Sequence, residues 1–234
     1  MFDARAVKTQ DELQLCFITS TIADACFQTI KDYARPGAKE CEVWGEVSNT
    51  AFRLGAELVG GLLTTGGRTN PYYRLMGSDK IMAPGDLLVS DVVVNVMGYY
   101  SCVVRAFLIG DKPATSEQKA AHKKAYEALY RSINACKAGV TTDKVAANFI
   151  QEGFETYSLQ IGHGLGQSVQ EAPMVHPVYS KEHPIVLEPG MYLAFETFVP
   201  LPDGSQGVRL EEDFVITEDG VEIFNRYPFD EKLM

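Results

Sequence analysis

Two stretches of this chain end an otherwise apolar strand on a carboxylate, behind the same turn. In VLEPGMYLAFET (residues 186–197), Pro189 and Gly190 launch a strand that runs into Glu196; in APGDLLVSDVVV (residues 83–94), Pro84 and Gly85 launch one that carries Asp91. In both stretches the acid is the sixth residue after the glycine. A lone carboxylate in such a strand is expensive to bury unless it is paired, protonated or bound to a cation. The recurrence reads as an internal repeat, which constrains the fold before any single element does.

The rest of the chain repeats around those strands. Apolar residues recur at helical spacing over residues 11–33, and Pro36-Gly37 ends that helix. A second helix is expected over residues 39–54, stopped by Gly55, then a buried strand over 58–65 and the turn-rich segment 66–71. Strands follow over 87–96 and 102–108, joined around Gly98; both are apolar on both faces, as in a sheet with helices on one side and a pocket on the other. The second half has a long helix over 117–137 and another, capped by Thr141 or Thr142, that ends at Gly153. The glycine-rich IGHGLG (161–166), the Glu196 strand and a last strand over 207–217 complete it. The helix starts PGAKECEV and AGVTTDKV also correspond, with Val six positions after Gly. Neither half can bury its sheet face alone, so the expectation is an α+β fold of two pseudo-symmetric helix-helix-strand halves around a curved, mostly antiparallel sheet. No linker or low-complexity tract divides it, so residues 1–234 are expected to form a single domain.

The net charge of −10, with no run of five basic residues, excludes a binder of nucleic-acid backbone. Five cysteines, without a C-x-x-C pattern, fit reduced thiols and a cytoplasmic location. The N-terminus has no apolar signal-like core, and no run approaches eighteen apolar residues, so no membrane partner is expected.

Side chains alternate faces along a strand. Tyr192, Ala194, Glu196 and Phe198 therefore share one face, as do Arg209, Glu211 and Asp213 on the last strand, with Val208, Leu210, Phe214 and Ile216 mostly opposite. Pseudo-symmetry would bring Asp91 toward Glu196, and three carboxylates on one face need compensation. A divalent cation held by hard oxygens is one answer; salt bridges to Arg105 and Arg209 are the other. The glycines around His163 either let the backbone approach a site closely or form a tight turn. No Lys-Ser/Thr follows and no helix opens there, so this is not a phosphate loop. His122, His176 and His183 read as surface residues.

Taken in order, Asp91, GYYSCVVR (98–105), IGHGLG, LEPGMYLAFE and GVRLEEDFVIT resemble the creatinase, aminopeptidase P and methionine aminopeptidase superfamily, over essentially the whole chain. That resemblance implies the pita-bread fold and two metal ions held by Asp, Asp, His, Glu and Glu. Asp91, His163, Glu196 and Glu211 match four of these; Cys102 stands where the second Asp belongs. Gln170 stands where the peptidases carry a second histidine, and GGRTNPYY (66–73) replaces a loop that holds another. That loop and the tail FNRYPFDEKLM look most like the branch that holds dimethylsulfoniopropionate lyases, with creatinase and ectoine hydrolase nearby. The lyases' extra aspartates fall on Ser90 and Val92, and their catalytic base falls on Gln170.

The implied function is a hydrolase acting on a C–N bond of a small molecule, with Glu196 and His163 catalytic. The alternatives are a C–S lyase, in which a base abstracts a proton next to a carboxylate, and a degenerate domain kept for binding or assembly. The implied cofactor is a divalent ion (iron, zinc or manganese), one rather than two or absent, with ligands drawn from Asp91, Cys102, His163, Glu196 and Glu211. A thiolate at Cys102 suits zinc or iron better than manganese; a single ion is expected on His163, Glu196 and Glu211, with Asp91 contributing little. Arg68, Asn70, Tyr72 and Gln170 are the candidate substrate contacts. Relatives carry an N-terminal domain that closes the pocket, and this chain starts at what resembles their inter-domain helix. A homodimer, or association with a separate N-terminal domain, is therefore expected.

Overall fold

A computed structural model describes residues 3–69, 76–157 and 159–234. After the short helix α1 (Asp3–Ala6), α2 (Gln10–Tyr33) opens on a capping box: the Thr9 hydroxyl accepts from the Glu12 N–H and Glu12 Oε2 accepts from the Thr9 N–H. That satisfies donors a helix start otherwise leaves open. By length and composition α2 could cross a membrane, yet half of the relevant window is buried in the protein. Its inner face, with Leu13, Cys16, Ala23, Phe27 and Ile30, packs on the strands beneath it. Helix α3 (Glu40–Arg53) stops before Gly55, whose φ of 98° lies in the left-handed region that glycine tolerates.

The strands β1 (Leu58–Thr65), β2 (Leu87–Val96) and β3 (Tyr99–Leu108) form an antiparallel meander. β3 starts earlier than residue 102, because Val96 pairs with Tyr99 across a two-residue turn. Met97 and Gly98, with φ of 50° and 82°, give the primed turn that matches strand twist. Tyr99 to Ser101 are thereby drawn into the ladder.

The second half runs α4 (Ser116–Asn134), α5 (Thr142–Gln151), β4 (Gly162–Gly164), β5 (Glu171–Val175), α6 (Tyr179–Glu182), β6 (Tyr192–Pro200), β7 (Gly207–Ile216) and β8 (Val221–Ile223). Their sheet has the order β5-β4-β6-β7-β8, every pair antiparallel. β5 has no strand signal in the sequence: it carries Pro173, which fits only where an N–H is not needed, and it lies on the sheet edge. His122 is a correction too. It lies on the buried face of α4 with Ala121, Ala125 and Leu129, its ring edge-on to Phe229.

The chain is thus α+β with antiparallel sheets, but the curved surface is two hydrogen-bonded sheets that meet along β3 and β7. The described residues show no ladder across that seam. Side chains bridge it instead: Arg105 Nη1 donates to the Glu211 carbonyl at 2.7 Å, and the Cys102 N–H donates to Asp213 Oδ2 at 3.2 Å. The largest apolar cluster crosses the seam, joining Leu87, Val89 and Val104 to Leu193, Leu210 and Phe214 under α4 and α5.

Candidate metal and catalytic site

The face of β7 opposite that cluster carries Arg209, Glu211 and Asp213, all buried. Asp91 comes from β2, Cys102 from β3, His163 from β4 and Glu196 from β6, so five strands of both halves converge here. Asp91 and Glu196 do not sit on neighbouring strands. β3 and β7 lie between them, and the two acids meet through a shared partner.

That partner is Arg209. Its Nε donates to Glu196 Oε2 at 2.9 Å, its Nη2 donates to the same oxygen, and its Nη1 lies 3.4 Å from Asp91 Oδ2. Burial works against the guanidinium charge, but Glu196 and Asp91 outweigh it and hold the group above its ordinary range. Arg105 is not part of this set. It points to the opposite face, where Nη2 donates to Glu212 Oε2 at 2.9 Å and the guanidinium lies over Phe229, 4.5 Å from the ring centre.

Beside the arginine lies a second group. One donor atom each of Cys102, His163 and Glu211 lies within 4.8 Å of the other two. Cys102 Sγ is 3.7 Å from Glu211 Oε2 and 3.7 Å from Asp91 Oδ1; His163 Nε2 is 3.7 Å from Glu211 Oε1. His163 Nδ1 is 3.0 Å from the Gly164 carbonyl, which can only accept, so Nδ1 carries a proton and Nε2 is the nitrogen that faces Glu211. Glu211 Oε1 is buried without a hydrogen-bond partner among the described residues.

Burial dominates the titration of this group. It pushes Glu211 up to about 8, with Glu196 adding to the rise and His163 opposing it. The Cys102 thiol goes well above its usual value, from burial and then from Asp91 and Glu211. Asp91 is raised by burial against the pull of Arg209. Burial alone would lower His163, but Glu211 and Glu196 reverse the sign and raise it. A carboxylate oxygen that no described donor reaches, facing an imidazole nitrogen and a thiol, is a donor set that suits a divalent cation, so these residues fit the implied metal.

The glycines beside His163 are explained by packing. A Cβ on Gly162 would strike the Phe195 ring and lie 2.6 Å from the Ala194 carbonyl; one on Gly164 would strike the Ala172 carbonyl. β4 is pressed between β5 and β6, which fixes the ring of His163 in place.

Of the candidate substrate contacts, Arg68 donates from Nη1 to Ser78 at 2.8 Å and lies 3.9 Å from Glu40. Gln170 is exposed next to Glu171. Asn70 and Tyr72 lie outside the described residues. Sequence reasoning missed Asp213, which receives the Tyr192 hydroxyl at 2.9 Å and Ser20 at 3.3 Å besides the Cys102 N–H. Its place on the Glu211 face was the available signal. It also missed Lys8, buried against Glu171 at 2.8 Å.

Comparison with known proteins bears on the family and the fold. The description of metallopeptidase family M24 matches residues 18–218. An uncharacterized peptidase of Bacillus subtilis, YqhT, is 28% identical over 92% of this chain and 61% of its own length. The dimethylsulfoniopropionate lyase DddP of Roseobacter denitrificans is 26% identical over 99% of this chain and 54% of its own. Among solved structures, an Xaa-Pro dipeptidase from Bacillus anthracis superposes with a TM-score of 0.87 at 29% identity, over 97% of this chain and 64% of that one, and shares its pita-bread fold. The chain spans less than two thirds of the length of each of these relatives.

Proposed function

The chain belongs to metallopeptidase family M24, and we propose on that footing that it is a metal-dependent hydrolase of a C–N bond in a small substrate, an Xaa-Pro dipeptide first among them. The observation that carries this reading is the buried cluster of Cys102, His163 and Glu211 with its unpaired carboxylate oxygen. These three residues would hold the cation, and Glu196 and Asp91 stand beside them on Arg209. The chemistry such a cation supplies when bound is polarisation of the scissile carbonyl and a lowered pKa for water. The chain's own residues do the rest. Glu196 is held through Oε2 alone by Arg209, which leaves Oε1 to take a proton from an attacking water. Asp213 fixes the Cys102 backbone, and through it the position of the sulfur.

A second reading, a C–S lyase acting on a sulfonio-propionate, is favoured by the lyase relative that spans nearly all of this chain. Gln170 at the place of the lyases' base counts against it, since an amide cannot accept the proton. The two are separated by assaying purified protein, supplied with zinc, iron or manganese, on X-Pro dipeptides, creatine-like amidines and dimethylsulfoniopropionate. Release of proline is expected, with a loss of at least a hundredfold in Glu211→Gln. Release of acrylate alone establishes the lyase instead. Silence on all three substrates removes both and leaves a binding or assembly role.

A further inference from the structure

The first half of α4 carries a cavity that the catalytic reading does not use. Its sequence KAAHKKAYEALY (119–130) puts Lys119, His122, Lys123 and Tyr126 at i, i+3, i+4 and i+7, one strip of a helix. That strip is one wall of a cavity of about 490 Å³; Leu233 and Met234 form the other. Such a volume suits a small ligand. The two rings of the strip share a base. His122 and Tyr126 both stand edge-on to Phe229, with ring centres 6.0 and 5.3 Å away, and Tyr126 also tilts against Tyr130 at 4.6 Å. The exposed part of Tyr126 lines the cavity.

Charge and polarity narrow what fits there. The lining holds two lysines and no acid, in a chain of net charge −10. Lys119 Nζ donates to the Met234 carbonyl at 2.8 Å, while the exposed Lys123 lies 3.9 Å from Glu127, a pairing that holds it weakly. His122 is 2% exposed, and its Nε2 has no hydrogen-bond partner among the described residues. A buried polar nitrogen left unpaired costs stability, so a partner brought by a ligand is favoured. A half-turn about Cβ–Cγ exchanges the nitrogen-bearing edges of the ring within the same space, so a group in the cavity meets a nitrogen. Burial lowers the His122 pKa to about 4, so at neutral pH the ring offers a lone pair to a donor.

We propose that this cavity binds a small aromatic acid that carries a ring hydroxyl, of the hydroxyphenyl carboxylate class. The aryl ring packs against Tyr126 and Leu233, the hydroxyl donates to His122, and the carboxylate meets Lys123 at the rim. An amine in place of the carboxylate would face the lysines, and an aliphatic chain would forgo the ring contact with Tyr126. The cavity lies on the helix side of the sheets, away from Glu196 and Glu211. Binding here is therefore independent of the proposed hydrolysis, and a protein that cleaves nothing still tests it.

The test is isothermal titration of the full chain with para-hydroxyphenylacetate, alongside nitrogen NMR of the His122 imidazole. One site is expected, with a dissociation constant of about 1 mM or below, and a shift of the His122 nitrogens on binding. Phenylacetate, without the hydroxyl, should bind about threefold to tenfold more weakly. Tyramine, with an amine for the carboxylate, should bind about tenfold more weakly, and Lys123→Glu should reverse that order. His122→Phe keeps a buried ring and should bind both acids alike. Tyr126→Leu should weaken both acids about threefold or more. No binding of para-hydroxyphenylacetate at about 10 mM, equal affinity for the three probes, or an affinity unchanged in Lys123→Glu each overturns the proposal. So does a preference for the hydroxyl that survives in His122→Phe. If His122→Phe does not fold, Tyr126→Leu decides, and unchanged binding there overturns the site.

Discussion

His122 shows what burial does to one side chain. It is 2% exposed, its Nε2 has no hydrogen-bond partner among the described residues, and burial lowers its pKa to about 4, with Asp230 opposing and Arg105 assisting. The folded protein therefore keeps the ring neutral, while the unfolded chain binds a proton near pH 6.5. Its contribution to stability is full above pH 6.5 and is lost as the pH falls from there toward 4, by at most about 3 kcal/mol. Urea midpoints of His122→Leu should accordingly fall less steeply than those of the parent between pH 6.5 and 4. Parallel curves would show that the ring is protonated in the folded state. Helical spacing does not warn of this, because it marks a face and not which residue of that face lies deepest. The two arginines teach the same lesson. Both were legible as partners for the acids, but only the face alternation of β3 and β7 in three dimensions sends Arg105 to Glu212 and Arg209 to Glu196.

Among the elements, β5 and the segment leading into α2 are tied by a pair that spacing could not reveal. Lys8 Nζ lies 2.8 Å from Glu171 Oε1 and donates to the Ala6 carbonyl at 3.1 Å, and Arg5 reaches the other oxygen of Glu171 at 3.5 Å. Lys8 and Glu171 are both buried. Removing one partner of a buried pair leaves the other charge uncompensated and costs about 3–5 kcal/mol. Lys8→Met should lower stability toward the smaller of these figures, since Arg5 remains, and Lys8→Met/Glu171→Leu should recover most of the loss. Urea unfolding checks both; a change below about 0.5 kcal/mol in the single variant would place the pair among surface-like contacts. Long helices and fully apolar strands were readable because their signals are local: capping residues, stop glycines and continuous hydrophobic runs. β1 and β2 fall where the sequence puts them. β5 and the first residues of β3 depend on an edge position and a turn geometry, which only the assembled sheet supplies.

At the scale of the molecule, the repeat in the sequence becomes two sheets that meet without a backbone ladder between them. What joins them is an apolar cluster shared by both halves and a few bridges at the seam, such as Arg105 to the Glu211 carbonyl and Cys102 to Asp213. The largest apolar cluster draws on both halves, so the described structure is expected to unfold as one unit. The proposed metal trio straddles the same seam, with Cys102 from the first half and His163 and Glu211 from the second. An ion that binds only when the halves are together stabilises the whole by mass action, about 2.7 kcal/mol at a hundred times its dissociation constant. For a chain of this length that is a rise of roughly 5–10 °C in Tm. Calorimetry with and without zinc should therefore show one transition that moves upward as a unit, and Cys102→Ser should lose most of the shift. If zinc moves only part of the transition, the trio does not couple the halves. An undiminished shift in Cys102→Ser would place the ion on ligands within the second half alone.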